Sequence, residues 1–226
     1  MVITIDGPAG TGKSTVAQKV AEELAFDFLD TGAMYRAIGL AALRRHANLE
    51  DERELTYVAR LARIAFDFSV RPPAITLNGE PVGHLLRAGD ATRAASFVAV
   101  VRAVRELLVR QQQEIGASRP NLVTEGRDQG TVVFPRAELK FYLDATPAER
   151  ARRRANQLRA RGEMVDIALL QKQIMDRDWR DARRAVSPLM VPPGAEVIDT
   201  TDMPLQGVVD HIVGRARQLQ KGAVGS

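Results

Sequence analysis

The stretch DGPAGTGKST, residues 6 to 15, constrains this chain more than any other. It follows the β-branched run VITI (2–5) and opens KSTVAQKVAEEL, where Val16, Val20 and Leu24 recur at helical spacing, so the local reading is strand, glycine-rich loop, helix. Gly7, four further residues and then Gly12-Lys13-Ser14 make a P-loop in the context that motif requires. The glycines let backbone N–H groups curl around phosphate oxygens, and the helix N-terminus adds partial positive charge. Lys13 can reach the β- and γ-phosphates, and Ser14 can bind Mg²⁺. Gly7, Pro8, Ala9, Gly10, Thr11, Gly12, Lys13, Ser14 and Thr15 are therefore expected to hold a nucleoside triphosphate, with Ser14 as metal ligand.

Further strands are expected in FDFL (26–29), NLVTEG (121–126), LKFYLDAT (139–146) and AEVIDTT (195–201), separated by helical patterns. Strands alternating with helices indicate an α/β fold, a parallel sheet sandwiched by helices. One stretch breaks the rhythm. In IAFDFSVRPPAITLNGEPV (64–82) apolar residues alternate, and Asn78-Gly79 signals a type I′ hairpin, so a small antiparallel insert over 62–95 is expected before a helix from about 97 to 115.

At 226 residues the chain suits one domain, 1–226, with such an insert. Cysteine is absent, so disulfides and thiolate metal sites are excluded, and His46, His84 and His211 are too far apart for ligand spacing. No 18-residue apolar run and no basic leader are present, so neither a membrane partner nor a signal peptide is expected, and the expected location is cytoplasmic. The net charge of +4 is uneven: between Arg150 and Arg184 ten Arg and one Lys face five acids. Arginine suits bidentate phosphate contact, but no aromatic-studded basic strand accompanies the charge, so nucleic acid is not the expected partner.

Four further clusters bear on the chemistry. Asp30-Thr31-Gly32 is the triplet of aspartic proteases, yet such an enzyme needs two carboxylates on an all-β fold; here Tyr35-Arg36 follow at once, and the triplet suits a loop near phosphates. No asparagine precedes a lysine, against a guanine-reading element, and the third strand ends in TEGRDQG, where Glu125 is followed by a cation and Arg127-Asp128 point to a second substrate. Thr146-Pro147-Ala148-Glu149 reads as a capping box opening an Arg-rich helix. Its arginines, Arg153 among them, find only Glu149 and Glu163 nearby, and a mobile lid over 150–163 is preferred to a solvated face. In DRDWRDARRAVSPL (176–189), Arg177, Asp181 and Arg184 fall on one helical face, either as an exposed ion-pair ladder or as phosphate contacts.

ITIDGPAGTGKST, LDTGAMYR, AASFVAVVRAVRELL, EGRDQGTVVFP, FYLDAT and RDWRDARRAVSPL occur in the order found in bacterial cytidylate (CMP) kinases, which the chain resembles along nearly its whole length. The resemblance implies a P-loop kinase fold, a three-layer sandwich around a five-stranded parallel sheet with a monophosphate-binding antiparallel insert and a helical lid. It implies transfer of the γ-phosphoryl of ATP to CMP or dCMP with Mg²⁺. Lys13 and the loop would hold ATP phosphates. Arg36, Arg127 and Arg184 would hold the CMP phosphate; Arg153, from the Arg-rich run, is a further catalytic candidate, and which arginine of that run meets the transferring phosphoryl stays open. Thr31, Tyr35, Ser96, Arg105 and Asp128 would line the acceptor pocket, and Arg177 and Asp181 would contact ribose. Thr31, Gln129 and Glu125 depart from the residues usual there. Partners would be small nucleotides, and the chain a monomer. Two alternatives stay open: a P-loop kinase for UMP, dTMP or a metabolite hydroxyl, and an ATP-binding regulatory protein without turnover.

Overall fold

The computed structural model describes residues 1–87, 89–160, 162–183 and 186–224. Along the chain run β1 (Val2–Asp6), α1 (Lys13–Leu24), β2 (Asp27–Asp30), α2 (Thr31–Arg44), α3 (Glu52–Leu61), β3 (Ile64–Asp67), β4 (Ala74–Leu77), β5 (Glu80–Pro81), α4 (Gly89–Val98) and α5 (Arg102–Ala117). Then come β6 (Leu122–Glu125), β7 (Leu139–Asp144), α6 (Pro147–Arg159), α7 (Ile167–Arg183), β8 (Glu196–Asp199) and α8 (Leu205–Val224). A 3₁₀ turn lies at Leu85–Arg87 and a π-helical turn at Gln129–Val133. Five strands form a parallel sheet in the order β2-β6-β1-β7-β8, and three form an antiparallel one in the order β3-β4-β5. This is the α/β architecture expected from the sequence.

Two compact units divide the chain. The first comprises residues 1–26 and 123–226. Its central strand β1 has Ile3, Thr4, Ile5 and Asp6 fully buried, which is why VITID shows no alternation of apolar and polar residues: a strand covered on both faces has no solvent side to mark. β1 pairs with β7 in parallel register, Ile3 opposite Leu139 and Ile5 opposite Phe141, and β7 pairs likewise with β8, Phe141 opposite Glu196. α1 buries Val16, Ala17, Val20 and Ala21 and packs against α8, whose Val208, Val209, Ile212, Val213 and Ala216 are buried. The i, i+4 spacing of those residues is what makes the contact a helix stripe.

The second unit, residues 27–122, holds the antiparallel sheet. Asn78 and Gly79 turn between β4 and β5 with φ of 54° and 87°, as a type I′ turn requires. α2 and α4 pack together through Gly39. The helix expected from about 97 to 115 is α5, which begins only at Arg102: the chain leaves α4 at Val98 and Val101 is extended at φ −75° and ψ 114°, while α4, from Gly89, lies mostly in the stretch expected to be the antiparallel insert. No glycine or proline marks that break in AVVRAV, so helical periodicity read through it. Among the described residues no helix is long and apolar enough to cross a membrane.

Candidate active site

β1 ends at a position that must be bare. Gly7 turns at φ +142°, and a Cβ there would lie 2.1 Å from the backbone oxygen of Leu143 on β7. The loop then runs to Gly12, φ 89°, which stands before the first turn of α1. Lys13 is buried, and its ammonium donates to the Pro8 carbonyl oxygen at 2.6 Å and to Thr11 Oγ1 at 3.4 Å. Burial and the neighbouring Arg127 guanidinium push its pKa down to about 7, against the opposing pull of Glu125 and Asp6. Ser14 Oγ donates to Glu125 Oε1 at 2.8 Å, so the carboxylate at the end of β6 stands on the loop hydroxyl.

Past Glu125 two expected arginines stand around one expected carboxylate, that of Asp181. Arg127 Nε donates to Asp181 Oδ2 at 3.0 Å, and Arg177 Nε lies 4.0 Å from the same oxygen. Burial would lower the Arg127 pKa, but Asp181 and Glu125 outweigh it and raise it. Asp128 is buried and precedes the π-helical turn, whose first two N–H groups, of Gln129 and Gly130, donate to the buried Asp6 carboxylate at 2.9 and 2.7 Å. Asp6 thus ties the strand that leads into the P-loop to the segment that carries Arg127 and Asp128.

Thr146 caps α6 with Oγ1 accepting from the Glu149 N–H at 3.4 Å. Only this half of the expected capping box forms. The Glu149 carboxylate turns to Arg152 and Arg153, at 2.7 and 2.8 Å, and the Thr146 N–H goes to Thr201 Oγ1 instead. Those guanidinium groups hold the Glu149 pKa down at about 2. The arginines of α6 also find partners the sequence did not offer nearby. Arg153 donates to the carbonyl oxygens of Thr11 and Thr200 and to Thr200 Oγ1, and Arg150 pairs with Asp178 of α7. Arg161 and Arg184 lie outside the described residues.

In the second unit Asp30 caps α2, Oδ1 accepting from the Ala33 N–H at 2.8 Å while Oδ2 accepts from Arg36 Nη2 at 2.9 Å. The protease-like triplet is thus a helix cap with an arginine on it. Thr31 is buried in the first turn of α2. Arg105, on α5, is 2% exposed, stacks over the Tyr35 ring at 5.4 Å and donates to the Ala99 carbonyl oxygen at 3.1 Å. Ser96 donates back along α4 to the Thr92 carbonyl oxygen at 3.4 Å.

Sequence reasoning singled out neither Asp6, Asp178 nor the Ser14–Glu125 pair as part of the site. For Glu125 a partial signal existed, an acid at the end of the strand pattern NLVTEG just before Arg127, though nothing in the sequence put it on Ser14; for Asp178 none did. The arrangement can cradle anionic oxygens and place cations around them.

Comparison with known proteins agrees with that chemistry. The family model described as cytidylate kinase matches residues 3–218. A cytidylate kinase of Caldanaerobacter subterraneus subsp. tengcongensis is 44% identical over 98% of this chain and 97% of that protein. One of Oleidesulfovibrio alaskensis is 44% identical over 96% of this chain and 98% of its own length. A solved shikimate kinase from Bacteroides thetaiotaomicron is similar in fold, with a TM-score of 0.50 at 16% identity and 98% of each chain covered. Given a P-loop on the strand and helix that carry it here, and relatives matching from end to end, the chain belongs to the cytidylate kinase family.

Proposed function

We propose that this protein transfers the γ-phosphoryl group of ATP to CMP, and to dCMP, by in-line displacement. The observation that carries the reading is the P-loop with Lys13 and Ser14 beside the end of β6, where Glu125, Arg127 and Asp128 follow one another. The acceptor is a phosphate oxygen that is already anionic near neutral pH, so no general base is needed; positioning and neutralisation of charge suffice.

Lys13 and the backbone of residues 7–15 take the ATP phosphates. Arg36, Arg127 and Arg184 take the acceptor phosphate, and Arg153 anchors the Arg-rich helix over the loop. Thr31, Tyr35, Ser96, Arg105 and Asp128 serve the acceptor nucleoside, and Arg177 and Asp181 its ribose. The segments 62–95 and 150–163 act as the monophosphate-side insert and the lid of one kinase domain, 1–226. Mg²⁺ fits the donors present: Ser14 Oγ and the Glu125 carboxylate are hard oxygens in contact, and Mg²⁺ takes few protein ligands, with substrate phosphates and water supplying the rest. When bound it neutralises developing charge on the phosphate oxygens. The protein acts as a cytoplasmic monomer on free nucleotides, not on nucleic acid.

An ADP-release assay with ATP, Mg²⁺ and each of CMP, dCMP, UMP, AMP and dTMP tests this. CMP and dCMP should turn over far above the others, and Lys13→Ala should reduce CMP turnover by about 10²-fold or more. UMP or dTMP turned over as well as CMP, or no transfer to any acceptor, would overturn the assignment.

A further inference from the structure

Ala9, at the rim of the phosphate loop, has both its backbone polar groups engaged by side chains from the Arg-rich region. Its N–H donates to Asp178 Oδ1, on α7, at 3.2 Å. Its carbonyl oxygen accepts from Arg150 Nη1, on α6, at 3.0 Å. The two side chains also pair with each other, and Arg150 Nε donates to the Ala145 carbonyl oxygen at 2.9 Å. The Arg150 side chain is 6% exposed and that of Asp178 is 19% exposed. Each charge is thus largely withdrawn from water and compensated by the other. At Gly10 a Cβ would lie 3.0 Å from Arg150 Cβ, so α6 is seated against the loop itself.

A carboxylate on a P-loop amide has the charge and the acceptor atoms of the phosphate that such an amide serves. We propose that Asp178 is a built-in competitor for the donor nucleotide, its carboxylate taking at the rim of the P-loop the place of a triphosphate oxygen. The Ala9 N–H serves one acceptor or the other. Binding of the triphosphate displaces Asp178, and Arg150 exchanges its carboxylate partner for phosphate, so the buried guanidinium stays compensated in both states. The inference rests on the reading of residues 7–15 as the ATP phosphate site. It adds a consequence: α7 also carries Arg177 and Asp181, so donor binding resets the helix that carries two acceptor-side residues, and by reciprocity the acceptor alters donor affinity.

The test is calorimetric binding of two probes, the β,γ-imido analogue of ATP with Mg²⁺ and inorganic tripolyphosphate. Asp178→Asn should bind both about tenfold more tightly than wild type, the gain expected when a binding-competent state held to about a tenth of the population becomes dominant. Asp176→Asn, an exposed aspartate on the same helix, controls for charge removal alone and should stay within about twofold of wild type. A second measurement needs no variant. Trp179 is the only tryptophan of the chain, follows Asp178, and has the Arg183 guanidinium 4.7 Å from its ring centre, so saturating tripolyphosphate should shift its fluorescence in wild type. Unchanged or weaker binding by Asp178→Asn, an equal gain in Asp176→Asn, or Trp179 emission that ignores the probe overturns the proposal. If wild type binds neither probe, the P-loop reading falls and takes this one with it; if wild type binds and Asp178→Asn gains nothing, only the competitor falls. Should Asp178→Asn fail to fold, the Trp179 response decides.

Discussion

Asp6 is an acid in a place where its charge is costly. Burial raises its pKa to about 6 and the Asp128 charge adds to this, while hydrogen bonds from Gly130 and Gln129 and the Lys13 ammonium oppose it. Because the folded value exceeds the ordinary 3.8, the folded chain binds this proton more readily than the unfolded chain does. The group's contribution to stability is therefore whole below about pH 4 and is lost as pH rises through about 6. Asp6→Asn does not titrate, so its stability relative to wild type should improve by up to about 3 kcal/mol between about pH 3.5 and about pH 7.5. Urea denaturation at the two pH values measures this; a constant difference would show that Asp6 ionises freely. For recognition the residue to change is Asp128. Cytosine differs from uracil by an exocyclic amine donor, which a buried carboxylate can accept. Asp128→Ala should cut the CMP-over-UMP ratio of kcat/KM by at least about tenfold, and an unchanged ratio removes it from that role. Lys13 and Ser14 were legible in sequence because their spacing is local. Glu125 on Ser14 was not, since 111 residues separate them and no periodicity spans that distance.

Among the elements, α2 and α4 give a case where two tendencies oppose each other. Gly39 sits inside α2, and replacing a mid-helix glycine by alanine gains about 1 kcal/mol of helix propensity. Here the added Cβ would lie 2.9 Å from the Ala95 nitrogen and 3.0 Å from Ala94 Cβ on α4, and backbone cannot step aside as a flexible side chain would. Overpacking costs about 1–3 kcal/mol, so Gly39→Ala should destabilise by up to about 2 kcal/mol net. Chemical denaturation reads the sign directly, and a stabilised variant would mean that the helices separate easily. The sequence located the strands and most helices because their patterns come from burial along a single segment. It began α5 too early, in the last residues of α4, because the break between the two is made by backbone geometry at Val101, in residues that suit a helix equally well. The capping box was half right for a related reason: Thr146 acts locally, whereas Glu149 had two arginines within one turn to choose from.

Over the whole molecule, charge is concentrated rather than large. Residues 150–184 carry 11 basic and five acidic side chains, so the rest of the chain is slightly acidic within a net charge of +4. Two anionic substrates drawn to such a region should feel salt: raising KCl from about 25 to about 300 mM shortens the screening length severalfold, so KM for ATP and CMP should both rise severalfold with kcat changing less. Salt-independent KM values would assign binding to the neutral backbone cradle alone. The alternation of strands and helices made the class of fold legible, but not its order, because nothing local says that β1 lies between β6 and β7. That placement has a cost during synthesis. β1 is the middle of the sheet, and both its neighbours are translated more than a hundred residues after it. At about 5–20 residues per second, the nascent VITID segment waits roughly 6 to 23 s with two bare edges, so the cell must shelter it from other chains before it can carry the loop that follows.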